Sequence, residues 1–438
     1  MMNNTYIKAA AGLAALITAL SVCAGCADNN SDISGKKSNF SITREAVELT
    51  TEDSGSSPEN MTAQKLSASY TENNNGIIDT ADLFSDRDLE QEPDLSEAVR
   101  LTVSDGKTID ITEEGIYVLS GSAENCTVKV NADKEAKVQL VLDGVQVENE
   151  DFPAVYVLSA DKVFVTSVSD SSLAVNGSFN ADGETNTDAV IYSKDDLVFN
   201  GTGTLDIYSA YGNGISCKDD LKFTGGTYNI AASADAVEAN DSIAICGGEF
   251  TIQTNKDGFH SENEEDDSLG CIYIADGSFS IDAASDGIQG TSCVQIDGGT
   301  FNITSAEGIE ATYVQINGGN ITIDASDDGI NASRKSSAYD VTIEFNGGET
   351  TITMGQGDTD GVDSNGSIYV NGGTINVTAQ MSSFDYDEKA EFNGGTIIVN
   401  GEEVDEIPQS MMGGPMGGHG GFGGQAPPEG FGGRGGRF

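Results

Sequence analysis

A short acidic motif recurs along the chain, and its residues are the ones best suited to chemistry. In each copy an acidic residue, or in one copy an asparagine, precedes glycine or alanine and then an apolar residue. The copies begin at Asp188, Asn213, Asp235, Asp257, Asp286, Glu307, Asp328 and Asp360. If the apolar third residue points into a core, the acidic residues form one column along an outer edge.

Such a column of carboxylates needs a counter-charge. Two carboxylates about 5 Å apart repel by roughly 1 kcal/mol in water and by about 3 kcal/mol at an effective dielectric constant of 20. The chain has 21 Lys and Arg against 71 Asp and Glu, so its basic side chains are too few. Calcium takes six to eight oxygen ligands in flexible geometry. We therefore predict that the column binds Ca²⁺.

The predicted calcium ligands include a dense oxygen-rich segment, GDTDGVDSNG. It is not an EF-hand loop, because Val362 occupies the third ligand position. The full set of predicted ligands is Asp235, Asp257, Asp286, Glu307, Asp328, Asp358, Asp360 and Asp363. Asp and Asn beside glycine also favour tight turns and can remain solvated there, so a purely turn-forming role stays open for each of them.

The elements that carry this column are repeats of glycine steps and short alternating segments. Gly-Gly or Asp-Gly steps begin at Gly225, Gly247, Asp276, Gly298, Gly318, Gly347, Gly372 and Gly394. Apolar residues alternate on both sides of each step, as Val294 and Ile296 do before one step and Phe301 and Ile303 after it. A two-residue period with β-branched and aromatic residues indicates short strands.

This repeat predicts an all-β parallel β-helix, a solenoid with coils of about 20–25 residues. The steps need glycine because the chain turns sharply there, often at positive φ. A leucine-rich repeat is excluded because its leucine and asparagine scaffold is missing. Helical repeats are excluded because no 3.6-residue period runs between Thr204 and Val399.

The two ends of the chain differ from the repeats. Lys8, the apolar run Ala9–Val22 and a cysteine at Cys26 predict a bacterial lipoprotein signal over residues 1–26, with Cys26 lipidated. A plain secretory signal is the alternative, and either one predicts export. Residues 27–94 predict a flexible polar linker, and residues 95–405 the β-helix with a β-rich N-terminal cap. Residues 406–438 predict a disordered, glycine-rich tail.

Five cysteines lie beyond the predicted signal and show no close spacing of a disulfide framework. Cys271 and Cys293 occupy the same position in neighbouring repeats, so they could stack. Their spacing suits a disulfide, but parallel side chains give poor geometry for the bond. We therefore predict free thiols.

Two strings, Ile111–Ser122 (ITEEGIYVLSGS) and Val138–Val168, resemble the bacterial carbohydrate-binding β-helix family of cellulolytic clostridia. The resemblance extends from about Leu101 to Val399. It implies a right-handed parallel β-helix similar to polysaccharide lyases, with bound calcium. It also implies binding to cellulose and to acidic sugar polymers such as polygalacturonate.

The composition narrows the choice of ligand. A net charge of −50 excludes nucleic acid and anionic lipid as ligands held by charge attraction. The chain has no tryptophan with which to stack on crystalline cellulose, so an acidic polysaccharide bridged by calcium is favoured. Tyr211, Tyr273 and Tyr313 are the candidate sugar contacts. We expect a monomer that lies on the outer face of the cell membrane through its lipid anchor, or is secreted.

Two other functions stay open. A calcium-dependent lyase would need a base, for which Arg334, Lys335 and Lys256 are the candidates in the repeats, with Arg334 foremost. Histidine chemistry is disfavoured, since His260 is expected to be a spacer in the ladder. A surface stalk or adhesin that binds no sugar is the second alternative. We expect a binding protein rather than an enzyme.

Overall fold

The computed structural model describes residues 67–68, 70, 76–357 and 359–408. These residues form strands and turns and contain no helix. Within them no helix is long and apolar enough to cross a membrane. The predictions for the signal sequence, for Cys26, for Asp358 and for the tail beyond residue 408 lie outside the described residues.

The strands follow one another through the whole array, separated by short turns. In chain order they are β1 Val99–Thr102, β2 Thr108–Ile111, β3 Gly115–Glu124, β4 Thr127–Asn131, β5 Lys137–Asn149, β6 Val155–Ser159, β7 Lys162–Ser167, β8 Ser171–Val175, β9 Ala189–Ser193, β10 Asp196–Gly201, β11 Thr204–Ser209, β12 Asn213–Cys217, β13 Asp220–Ala232, β14 Val237–Ala239, β15 Ser242–Thr254, β16 Phe259–Ser261 and β17 Cys271–Ile274. The later ones are β18 Ser278–Ala283, β19 Asp286–Gly290, β20 Cys293–Ile296, β21 Thr300–Ser305, β22 Glu307–Ala311, β23 Tyr313–Ile316, β24 Asn320–Ala325, β25 Asp328–Ala332, β26 Thr342–Phe345, β27 Glu349–Met354, β28 Asp360–Ser364, β29 Ser367–Val370, β30 Thr374–Thr378, β31 Ser382–Tyr386, β32 Lys389–Phe392, β33 Thr396–Val399 and β34 Glu402–Val404.

Each strand pairs in parallel with the equivalent strand of the next repeat. β20 pairs with β23, and β21 pairs with β24, so like residues of successive repeats lie side by side. A twelve-stranded sheet contains the strands that begin with the acidic motif, and a twenty-two-stranded sheet contains the strands around the glycine steps. The predicted all-β class with parallel strands is confirmed. The only antiparallel pair of strands in the described chain is β33 with β34.

The first strands continue this pairing and do not form a separate cap. β1 pairs in parallel with β3, and β3 with β5, in the twenty-two-stranded sheet. β2 pairs with β4 in the other sheet. The N-terminal block is therefore β-rich, as expected, but it belongs to the same two sheets as the repeats that follow.

The core between the sheets is built from the alternating apolar residues. Aromatic rings of successive repeats stack on one another: the ring centroids are 5.0 Å apart for Phe250 and Phe279, and 4.5 Å apart for Phe279 and Phe301, with both pairs nearly parallel. Their side chains are at most 3% exposed. This stack follows directly from in-register parallel pairing, because one side-chain position repeats in every strand.

The glycine steps turn as the sequence predicts. The second residue of every step has a positive φ, from 78° at Gly348 to 143° at Gly277. Residues with a Cβ rarely adopt this conformation, so glycine is the natural choice there.

Glycine in the acidic motif has a different role, which is close packing of successive repeats. A Cβ at Gly308 would lie 2.3 Å from the carbonyl oxygen of Gly329 and 2.6 Å from Cγ2 of Ile323. We expect Gly308→Ala to lower the free energy of unfolding by about 2 kcal/mol, because backbone must move to admit the methyl group. Denaturant titration measures the change. Gly247→Ala is the control, since its Cβ would meet nothing closer than 3.5 Å; equal losses in both variants would contradict the explanation.

Part of the predicted flexible linker is instead packed against the twenty-two-stranded sheet. We call residues 76–91 the strap. The backbone N–H groups of Ile77 and Ile78 donate to the side-chain carbonyls of Gln315 and Gln295, at 3.1 and 2.8 Å. These bonds fix the first residues of the strap on β23 and β20.

The other end of the strap lies on earlier strands. The Gln91 amide donates to the carbonyl of Thr224 and accepts from the backbone N–H of Gly201. Asp88 is 1% exposed and lies 3.5 Å from the Lys162 ammonium. Between these ends Phe84 packs in an apolar cluster on the sheet. The linker prediction is wrong for the strap, because its scattered apolar residues find a surface that its own sequence does not reveal.

Candidate functional site

The predicted acidic residues do form one column, along the start of the strands in the twelve-stranded sheet. Asp286 lies beside Glu307, and Asp328 beside Asp360, in the parallel pairing. The backbone N–H of Asp286 donates to the carboxylate of Asp257 at 3.0 Å, and the same bond joins Asp360 to Asp328 at 3.1 Å. The column is therefore held in place by the backbone of each following repeat.

A second polar column runs beside the first, and of its members the sequence analysis identified only Asp363 as a ligand. Its members lie in the middle of the same strands, three positions after each acidic residue, and face outward. In register they are Glu238, His260, Gln289, Glu310, Asn331 and Asp363. The signal was available, because alternation makes the residue after the buried apolar one point outward.

At Asp235 and Asp257 the acidic column carries its own positive charge. The Lys256 ammonium lies 2.7 Å from a carboxylate oxygen of Asp235. Nδ1 of His260 lies 3.5 Å from Asp235 and 3.7 Å from Asp257. Burial opposes ionisation of Asp235, but hydrogen bonds from His260 and Lys256 outweigh it and lower the pKa to about 2. His260 is thus more than a spacer.

Farther along the column, Asp286, Glu307 and Glu310 form a group of carboxylates with less positive charge nearby. One carboxylate oxygen from each lies within 4.8 Å of the others. Burial and, to a lesser degree, the neighbouring carboxylates raise the pKa of Asp286 to about 8. Burial, together with Glu310, raises the pKa of Glu307 to about 7. A nearby cation, Lys335, is bound to Glu310 at 2.8 Å.

The amide nitrogen of Asn331 faces this group of carboxylates. Its Nδ2 donates to Glu307 at 3.0 Å, which orients the side chain beside the carboxylates. Its Oδ1 is buried and has no hydrogen-bond partner among the described residues. Converging carboxylate oxygens are the ligand type that Ca²⁺ prefers. The group therefore has the chemistry of a cation site.

The last predicted ligands lie at the end of the column. Burial, followed by the carboxylates of Asp328 and Asp360, raises the pKa of Asp363 to about 7. Burial likewise raises the pKa of Asp328 to about 6. This is a second region where burial and neighbouring carboxylates disfavour ionisation.

A further acidic group lies outside both columns. Asp196, Asp219 and Asp220 converge within 4.8 Å near the start of β10 and β13. Burial raises the pKa of Asp196 to about 6, with Asp220 the next cause. Lys162 lies 3.8 Å from Asp196, so this group already contacts a basic side chain.

The three candidate tyrosines do not form one exposed surface, although Tyr273 and Tyr313 lie on the same face of the twenty-two-stranded sheet. Tyr273 is 2% exposed beneath the strap and donates its hydroxyl hydrogen to Asp297 at 2.8 Å, so the prediction that it stacks on sugar is wrong. Tyr313 is half-buried and donates to Glu344 at 2.9 Å. Tyr211, between β11 and β12, is 66% exposed. The alternating sequence pattern predicts that these side chains point out of the sheet, but it does not predict which of them the strap covers.

Two long insertions meet beside the polar columns; the first is residues 262–270, between β16 and β17, and the second lies between β25 and β26. Ser336, in the segment 333–340, donates its hydroxyl hydrogen to the backbone carbonyl of Asp267, and the N–H of Ser337 donates to the Asp267 carboxylate at 2.8 Å. Next to the first insertion lies a groove of about 580 Å³, lined by Lys218, Glu238, Asn240, Asp241, Glu262, Asn263, Glu264 and Glu265. Its volume lies in the range of small-ligand sites.

The candidate lyase bases lie on or near this face. The pKa of Lys335 is raised: burial lowers it, but the hydrogen bond to Glu310 outweighs burial. The pKa of Lys256 is raised in the same way by Asp235. Arg334 is exposed in the second insertion. Both lysines are therefore held in the charged form, which cannot accept a proton.

Comparisons with known proteins identify a family for this chain. A solved structure described as the polysaccharide lyase-like protein from C. thermocellum, in a gadolinium derivative, matches at 28% identity with a TM-score of 0.45, covering 48% of this chain and 92% of its own. A carbohydrate-binding domain-containing protein of Acetivibrio thermocellus is 33% identical over 208 residues, which are 47% of this chain and 72% of the relative. The family model for carbohydrate-binding domain-containing proteins matches residues 105–361. The chain belongs to the family of carbohydrate-binding domain-containing proteins.

Proposed function

We propose that this protein binds polysaccharide through the outer face of its twelve-stranded sheet, with Ca²⁺ held in the acidic column. The observation that carries the proposal is the group of Asp286, Glu307 and Glu310, whose carboxylate oxygens converge within 4.8 Å. Family membership supports the carbohydrate ligand. The continuous parallel pairing of successive repeats supports a parallel β-helix as the overall architecture, and the sequence resemblance implies that it is right-handed.

The calcium proposal rests on charge and ligand chemistry. Burying three neighbouring carboxylates is unfavourable unless they are protonated or matched by positive charge. Lys335 supplies one charge and bonds to Glu310, and within the described part of the chain neither Asp286 nor Glu307 has an equally close cation. A divalent ion would permit both to ionise. By contrast, Asp235 and Asp257 have His260 and Lys256, so we place the first ion at Asp286.

The same electrostatics favours an acidic sugar polymer. A polymer of uronates and this protein repel each other unless a cation lies between them, and a bound Ca²⁺ can accept further oxygens from a ligand. Glu307 is only partly covered, so an ion bound there would face outward. Polygalacturonate is accordingly the first ligand to test, and cellulose the second.

The side chains on this face support binding of the polysaccharide without its cleavage. Lys335 and Lys256 are paired with carboxylates and stay protonated at neutral pH, so neither serves as the base of a lyase. We further propose that Cys26 is lipidated and that the protein is displayed outside the cell as a monomer. Polysaccharide capture near the membrane would follow from that position.

Affinity electrophoresis of the full chain in gels containing polygalacturonate tests the proposal. We expect retardation with Ca²⁺ and its loss with a chelator, while circular dichroism shows that the fold is retained. Asp286→Asn should weaken retardation at least tenfold in apparent affinity, since it removes a ligand of the bridging ion.

Asp282→Asn is the matched control, because it makes the same chemical change at an exposed position of β18 in the other sheet. It should be retarded like the wild type. Equal weakening in both variants would show that overall charge, not the proposed site, governs retention. No retardation of the wild type in either gel would reject an acidic polymer as the ligand.

A further inference from the structure

We propose that Cys271 and Cys293 form a disulfide that covalently links two successive repeats. Cys271 is the first residue of β17 and Cys293 the first residue of β20, and the two are paired in register. Their Sγ atoms are 2.6 Å apart. This site is independent of the sugar-binding proposal, because it lies in the twenty-two-stranded sheet.

The separation of the two sulfur atoms is the main argument. Non-bonded carbon atoms rest about 3.5–4.0 Å apart, and sulfur is larger than carbon. A covalent S–S bond measures about 2.05 Å. The two sulfurs therefore lie well inside ordinary contact distance, and the covalent bond requires only a small further approach.

Both cysteines lie at strand starts, and this bears on the expectation that parallel side chains give poor disulfide geometry. Residues in the middle of paired parallel strands project side by side, which suits a disulfide poorly. Here each cysteine follows a turn: Gly270, with φ of 76°, precedes Cys271, and Ser292 precedes Cys293. At these positions the side chains converge although the residues are paired in register, since their Sγ atoms are 2.6 Å apart.

The two thiols have unequal access, as a nucleophile and its resolving partner do. Cys293 is fully buried, and the side chain of Tyr339 from the second insertion hydrogen-bonds to it. Cys271 is partly exposed. The hydrogen bond from Cys293 lowers the pKa of Cys271, so the thiolate forms on the sulfur that an external reagent can reach.

The reaction is an ordinary thiol–disulfide exchange with an external disulfide as the oxidant. The Cys271 thiolate attacks one sulfur of that disulfide, giving a mixed disulfide and releasing one thiol. The Cys293 thiol then loses its proton and attacks the Cys271 sulfur, which releases the second thiol. The two protein thiols lose two electrons and two protons, and the oxidant is reduced to two thiols.

The three other cysteines of the described chain offer internal controls. All five cysteines of the described chain are free thiols in the structure, as predicted, and Cys126, Cys217 and Cys246 are buried. Burial raises the pKa of Cys246 to about 12, which makes it unreactive as a nucleophile. Oxidation should therefore be selective for the pair.

The bond should stabilise the array, because it closes a loop of 22 residues and ties one repeat to the next. We expect reduction to lower the Tm of the wild type by roughly 5 °C. The variants Cys271→Ser and Cys293→Ser should show no shift on reduction. Cys126→Ala should keep the shift of the wild type.

Peptide mapping by mass spectrometry tests the bond directly. The full chain is incubated with glutathione disulfide, unfolded, and alkylated with and without a prior reductant. We expect the peptides of Cys271 and Cys293 to be joined and unalkylated until reduction, whereas Cys126, Cys217 and Cys246 alkylate at once. Alkylation of Cys271 and Cys293 without reductant would overturn the proposal. A stable glutathione adduct on Cys271 would also overturn it, because the partner thiol would have failed to resolve it.

Discussion

Calcium is expected to raise the Tm of the wild-type protein, and the rise should be larger at pH 8.5 than at pH 5. A ligand at a hundred times its dissociation constant contributes about 2.7 kcal/mol, or a shift of roughly 5 °C. Differential scanning calorimetry with and without Ca²⁺ measures it. Asp286→Asn should remove most of the shift, and Asp282→Asn should retain it. An unchanged shift in Asp286→Asn would contradict the proposed position of the ion.

The pH dependence follows from the sign of the pKa shifts. The folded protein raises the pKa of Asp286 to about 8 and that of Glu307 to about 7, above their values in the unfolded chain. Their contribution to stability is therefore complete below pH about 4 and is lost as pH rises through 7 and 8. The metal-free protein should weaken over that range. Calcium requires the ionised form, so its binding should release protons and strengthen with pH.

Phe279→Ala is expected to lower the free energy of unfolding by about 4 kcal/mol, because the substitution removes a large ring from the core. The ring is 2% exposed and stacks on Phe250 below and Phe301 above. Its removal leaves a cavity between repeats and breaks both ring contacts. Urea titration monitored by circular dichroism measures the loss.

Two further variants test whether the loss of stability comes from the lost packing of the ring. Phe279→Leu keeps most of the buried volume and should cost no more than about 1.5 kcal/mol. Met381→Ala, at a side chain that is 58% exposed, should have almost no effect. A loss for Phe279→Ala no greater than that for Phe279→Leu would show that the stack contributes little to stability.

Local periodicity was enough to predict much of the fold. The alternation around Val294 and Phe301 predicts strands, and the recurring glycine steps predict where they turn; both agree with the structure. The acidic motif also forms the expected column. The strands, the turns and the acidic column depend on residues close in sequence. Each pattern recurs in many repeats, which makes it easy to recognise.

Contacts between distant residues could not be predicted in this way. The strap bonds to Gln295 and Gln315 across 217 and 238 residues, and nothing in its own composition indicates that sheet. The burial of Tyr273 follows from the same contact. Likewise, some carboxylates of the acidic column pair with a lysine and others do not. Which ones pair depends on where the side chains of Lys256 and Lys335 lie, and the spacing of the motif does not determine that.

The strap has a mechanical consequence. It crosses strands from β7 to β23, since Asp88 contacts Lys162 at one end and Ile77 bonds to Gln315 at the other. A force applied through the chain before residue 67 would first reach the contacts of Ser67 and Ala68 with Leu89 and Glu90, at the end of the strap. These contacts and the strap's bonds to Gln295 and Gln315 would carry load before the parallel ladder at β1. The strap would therefore detach first, while the repeats stay folded.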